Sequence, residues 1–178
     1  AAGMATADRY LGIAGTALIF GVWWTYFVVP SGHLLHAHRE RSFGWGYGHL
    51  PLFGAVVAIG AGLHAAAYYL DGESELGETG TVLAVTVPLA VYAACLYGLY
   101  STLTRSLDPF HVVLIALTVV LLVLPVLLAE AGVAMVWCLA VVARVPWGTV
   151  VGYWTVGPRH TRPALSWLHA SAVCGACP

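Results

Sequence analysis

Apolar positions come in long unbroken runs, and polar positions gather in short stretches between them. Five runs are long enough to cross a hydrocarbon core of about 30 Å, which takes roughly 20 residues at about 1.5 Å each. They cover residues 10–29, 50–70, 81–103, 111–129 and 133–157. Membrane strands would alternate over about ten residues, so these runs predict helices. The expected fold class is therefore all-α, a polytopic integral membrane bundle of about five transmembrane helices. Residues 1–157 form the transmembrane domain, and 158–178 form a poorly ordered cytoplasmic tail.

Composition sharpens this. Of 178 residues, 60% are apolar and 8% charged, with a mean hydropathy of +0.85. A soluble domain carries about 25% charged residues, so lipid must solvate most of this surface, and the bilayer is the first partner. The net charge of -1 excludes a nucleic-acid partner, which needs clustered basic residues. Arg39 and Arg41 fall in the first connection, Arg105 in the third, and Arg159 and Arg162 in the tail. The positive-inside rule then puts these segments in the cytoplasm and the N-terminus outside, as a multi-pass protein of the cell membrane. The first run is too long for a signal peptide and reads as a retained helix.

Small residues at spacings of four, Gly54, Ala58 and Gly62 on the second span and Ala90, Ala94 and Gly98 on the third, predict that these two helices pack together. Pro88, Pro125 and Pro146 lie inside spans, and each frees a carbonyl four residues earlier. Arg144, about 16 Å into the last run by helix rise, is a candidate for a ligand or ion path. It has no acid within any span to answer it, and it has two readings. It contacts an anionic ligand, faces a wet cavity or bonds the Val142 carbonyl freed by Pro146, or it marks the end of a short last helix and snorkels to the interface. His64 and Tyr92 are further path candidates inside the second and third spans.

Histidines raise metal and haem chemistry. His33, His36 and His38 form H-x-x-H-x-H in the first connection, where only the first step has helical ligand spacing. The alternative is three interfacial histidines beside Arg39 and Arg41. A haem between His49 and His111 is a further alternative, but no cofactor is the main expectation. Cys174 and Cys177 make a single C-x-x-C, too little for a zinc site. No phosphate-binding loop, nucleophile elbow or H-E-x-x-H sequence occurs, so no motif supports catalysis.

Two stretches carry a family likeness. V-W-W-T-Y-F at Val22–Phe27, with Trp23, Trp24, Tyr26 and Phe27, is followed by Y-G-H-L-P-L-F at Tyr47–Phe53, with Tyr47, His49, Leu50 and Pro51. In this order and spacing they resemble the bacterial low temperature requirement A (LtrA) family. The resemblance implies a membrane protein linked to cold tolerance. Family members look roughly twice as long, so the chain resembles a C-terminal half, and Val28 stands where the family tends to place an Asp. From the residues alone, Pro51 fits the first turn of a helix beginning near His49, and the tryptophan pair fits an interfacial anchor.

Three functions are open at this point: a transporter-like or membrane-stress protein, a haem- or metal-binding redox protein, and a half-module or homo-oligomer that needs a partner membrane subunit.

Overall fold

A computed structural model describes residues 2–28, 35, 39–104 and 109–156. Apart from a 3₁₀ turn at Arg39–Arg41, the elements are helices: α1 Ala2–Val28, α2 Ser42–Asp71, α3 Glu78–Thr104, α4 Pro109–Glu130, α5 Met135–Val142 and α6 Val145–Thr155. No strand occurs among the described residues. With α5 and α6 taken as one segment, five stretches are long and apolar enough to cross a membrane.

Helix ends follow local chemistry. α2 stops where Gly72 takes φ +75°, and the amides of Gly72 and Glu73 turn back to the carbonyls of Tyr69 and Tyr68. α4 ends the same way, with Gly132 at φ +76° and Val133 N–H donating to Leu128. Both glycines reach a left-handed conformation that a Cβ would strain. Between α2 and α3 the acidic connection stays in the open, with Asp71, Glu73 and Glu75 exposed.

The second span differs from its expected bounds. α2 begins at Ser42, so Pro51 lies inside the helix and not in its first turn. It therefore frees the Tyr47 carbonyl, and the glycine-bearing segment 42–49 is helical. The fifth span is two helices. The Arg144 amide shortens to a 3₁₀-type bond with Val141, and Pro146, near the start of α6, leaves Val142 without its usual donor.

Contacts close the helices into a ring in which α2 meets α3, α3 meets α4, α4 meets α5 and α6, and α6 meets α1. α1 closes the circle against α2 less extensively than it packs on α6. Leu18, Val22, Leu52, Ile59, Val82, Val85, Leu89, Leu96 and Val142 fill the interior. Phe20, Val57, Val113, Val120 and Leu127 point outward on three different helices, a surface that only lipid solvates without cost.

The α2–α3 seam is the most extensive. Its α2 face is Leu52, Ala55, Ile59, Gly62 and Ala66. Of the small residues expected to mediate packing, Gly62 alone does so by necessity: a Cβ there would collide with the Ala84 carbonyl. That carbonyl is the one Pro88 frees, so the glycine makes room for an oxygen that its own helix leaves unbonded. Gly54 and Gly98 face open space, and Ala94 is exposed.

Candidate functional site

The family-like residues meet where α1 runs beside α2. His49 Nδ1 lies 2.6 Å from the Trp45 carbonyl, which can only accept, so Nδ1 carries a proton. In the neutral ring Nε2 then accepts from the Tyr26 hydroxyl, 2.9 Å away. Trp45, Tyr26 and Phe53 pack around the imidazole with centroids 4.9, 5.7 and 5.7 Å distant. The two stretches that carry the family likeness are thus joined by one hydrogen bond across the first connection. Trp23, Trp24 and Phe27 are exposed on α1, with Trp23 against Phe27 at 4.8 Å. Tyr47 and Pro51 are exposed on α2.

Below this clamp the two helices part. The space is a groove of about 390 Å³, walled by Ile19, Val22, Trp23, Tyr26 and Phe27 of α1 and Leu52, Phe53 and Val56 of α2, with Tyr92 of α3 as its floor. The Tyr92 hydroxyl donates to the Val22 carbonyl at 2.7 Å, which ties α3 to α1 across the base.

Tyr92 also walls a second space on its inner side. That gap, about 10 Å³, is close to the smallest that admits one water and is bounded by Thr25, Tyr97, Thr118, Pro146 and Thr149 among others. Hydroxyls here form a directed chain. Thr118 Oγ1 spends its hydrogen on the Leu114 carbonyl at 2.8 Å, so it accepts from Tyr97 at 3.1 Å. Tyr97, having donated, accepts from Thr149 at 2.8 Å. Toward one end of the bundle, Tyr153 hydrogen-bonds His111 Nε2, and Tyr100 stacks on the same imidazole at 4.4 Å. Toward mid-depth, Thr25 Oγ1 bonds both the Gly21 carbonyl at 2.7 Å and the Pro146 carbonyl at 3.1 Å. The polar column therefore runs from His111 to the kink in the last span.

The other candidates are not brought together. Arg144 is exposed at the kink, with Nη1 donating to the Ala140 carbonyl at 2.8 Å. It bonds its own helix, at a different carbonyl from the one Pro146 frees. His64 is exposed on α2, edge-on to Tyr68 at 4.9 Å. His33, His36 and His38 lie outside the described residues, as do Arg105, Arg159, Arg162, Cys174 and Cys177. Among the described residues no three of His, Cys, Asp or Glu gather as a metal site. A haem iron at His49 or His111 would have to displace a tyrosine already bonded there.

Sequence reasoning passed over Thr25, Tyr97, Thr118, Thr149 and Tyr153. A threonine in a membrane helix ordinarily bonds the carbonyl four residues back, as Thr86 does to Val82 at 3.0 Å, so its presence alone carries no signal. The pairing of Tyr97 with threonines on two other helices is visible only in three dimensions.

Comparison with known proteins agrees with the motif likeness. No curated protein and no solved structure matches the chain. Residues 2–145 match the family model described as bacterial low temperature requirement A protein (LtrA), a stretch that takes in both motifs and α1 through the kink. With five membrane-length helices beneath that match, the chain is a multi-pass membrane protein belonging to the LtrA family.

Proposed function

We propose that this LtrA-family protein is transporter-like and handles a small uncharged, hydrogen-bonding solute along the hydroxyl column. One observation carries the reading: Thr149, Tyr97 and Thr118, from three helices, form a largely buried directed hydrogen-bond chain, with Tyr97 half-buried, beside a water-sized gap at a kinked span. Polar side chains inside a membrane bundle are costly and gather where solutes pass, and interrupted helices mark such sites. Among the described residues no charged side chain lines the gap, which favours an uncharged solute over an ion. Arg144, exposed and bonded to its own helix, stands outside this path.

Glycerol flux into proteoliposomes, followed by light scattering, tests the proposal. Flux exceeds that of empty vesicles and falls to their level in the Thr118→Val, Thr149→Val double variant; equal flux in all three preparations overturns it. In the same reading the N-terminus is outside, because Arg39 and Arg41 lie in the first connection. A cysteine placed at Glu75, in the exposed acidic connection, is then labelled by an impermeant maleimide from outside intact cells. Labelling only after lysis reverses the orientation.

A further inference from the structure

We propose that the groove between α1 and α2 is a binding site for one acyl chain of a membrane lipid. The site is independent of the solute column, although the two share Tyr92 as a wall.

Position sets the source of the occupant. On α1 the wall residues Ile19, Val22, Trp23, Tyr26 and Phe27 form one stripe at helical spacing. The stripe is about 12 Å long by helix rise, and it starts one residue from the Val28 end of the helix. Half a hydrocarbon core is about 15 Å, so the groove occupies a single leaflet, the one next to the first connection. It opens sideways between two membrane-spanning helices, where the neighbouring medium is hydrocarbon.

Chemistry sets the class. Two side chains in the lining carry a hydroxyl, Tyr26 and Tyr92. Each is already spent within the protein, Tyr26 on His49 and Tyr92 on the Val22 carbonyl. A polar ligand entering here would lose its bonds to water and, among the described lining residues, find only the Trp23 indole N–H uncommitted, which is unfavourable. An alkyl chain loses nothing and gains dispersion contacts with five aromatic and four aliphatic side chains. The volume of about 390 Å³ lies within the range of small-ligand pockets, about 300–1,000 Å³. The clamp of Tyr26 on His49 closes the interfacial end beside Trp45, so the lipid headgroup stays outside the groove, level with these polar atoms.

The test uses the whole chain in vesicles of phosphatidylethanolamine and phosphatidylglycerol. A small, increasing fraction of the phosphatidylglycerol carries a diazirine midway along one acyl chain. After illumination, adducts are mapped by mass spectrometry on the groove residues and on the outer face of α4 at Val113 and Val120, both exposed. Labelling of Ile19, Phe53 or Val56 saturates at low probe fraction and is displaced by unlabelled lipid, whereas labelling of α4 rises in proportion to the probe. Proportional labelling at both places means ordinary annular contact and overturns the proposal. So does a crosslinked dimer through α1 and α2, which would assign the groove to a second copy. In Val56→Trp, which fills the groove, saturable labelling disappears while α4 labelling is unchanged; persistence of the saturable component also overturns it. The saturation test in the unaltered protein stands even if that variant does not fold.

Discussion

α2 has two neighbours and treats them in opposite ways. Against α3 it presents Gly62, and the backbones come so close that a carbonyl of one helix sits where a Cβ of the other would be. Against α1 it leaves a groove of about 390 Å³, and among the described residues one side-chain bond links the two, His49 to Tyr26. Among the described residues the tight seam has no side-chain hydrogen bond in its centre and needs none, because small residues let dispersion act along the backbone. The open seam has little packing and depends on a polar clamp at one end. In lipid, where burial of apolar area gives no advantage over contact with acyl chains, backbone proximity holds more firmly than polar chemistry.

The sharpest way to break the contrast is Gly62→Leu. Its Cβ meets the Ala84 carbonyl and the backbone beside it, atoms that move only if the helices separate. The expected cost is about 3 kcal/mol or more, at the upper end of overpacking, read as loss of monodisperse protein and a lowered Tm in detergent. Gly54→Leu, eight residues earlier with nothing within 4 Å, leaves both unchanged. Equal damage from the two would mean that the seam lies on another face of α2. The smaller effect belongs to the clamp. His49→Phe keeps the aromatic packing and removes the bond to Tyr26, at about 0.6 kcal/mol, the average for polar pairs between membrane helices. Tm shifts little, but a cysteine pair at Tyr26 and His49 crosslinks more slowly than one at Gly48 and Leu99, where α2 meets α3 and the cysteine removes the only side chain that a Cβ at Gly48 would strike. Equal rates would show that α1 is held against α2 by something other than the clamp.

The helical class and the number of spans were legible in the sequence because apolar runs of this length have no other stable use in a helical protein. The family was legible in Trp23, Tyr26, His49 and Pro51. Which way each helix faces was not. A soluble helix announces its buried face by alternating with polar residues, but these helices are apolar all round, and lipid accepts Val57 as readily as the core accepts Ile59. For that reason Gly54 and Gly62 look equivalent in sequence, and only one lies in the seam. The start of α2 was misplaced for a related reason. Gly44, Gly46 and Gly48 read as connection, yet a membrane helix tolerates glycine, and Gly48 lies where a Cβ would strike Leu99. Arg144 attracted attention because a charge at that depth is expensive. The Ala140 carbonyl, one turn back on its own helix, gives the guanidinium a partner that sequence spacing alone did not single out.

Trp147 donates its indole N–H to the Ala17 carbonyl at 3.0 Å, and Thr25 reaches the Pro146 carbonyl. These bonds join segments more than 120 positions apart, whereas the α2–α3 hairpin is joined by a connection of a few residues. Local contacts form early and distant ones late. The hairpin can therefore assemble while synthesis continues, but α1, made before either of its arms, waits in the bilayer until α6 has emerged. Among the described helices, the earliest in the chain is the last to find its place.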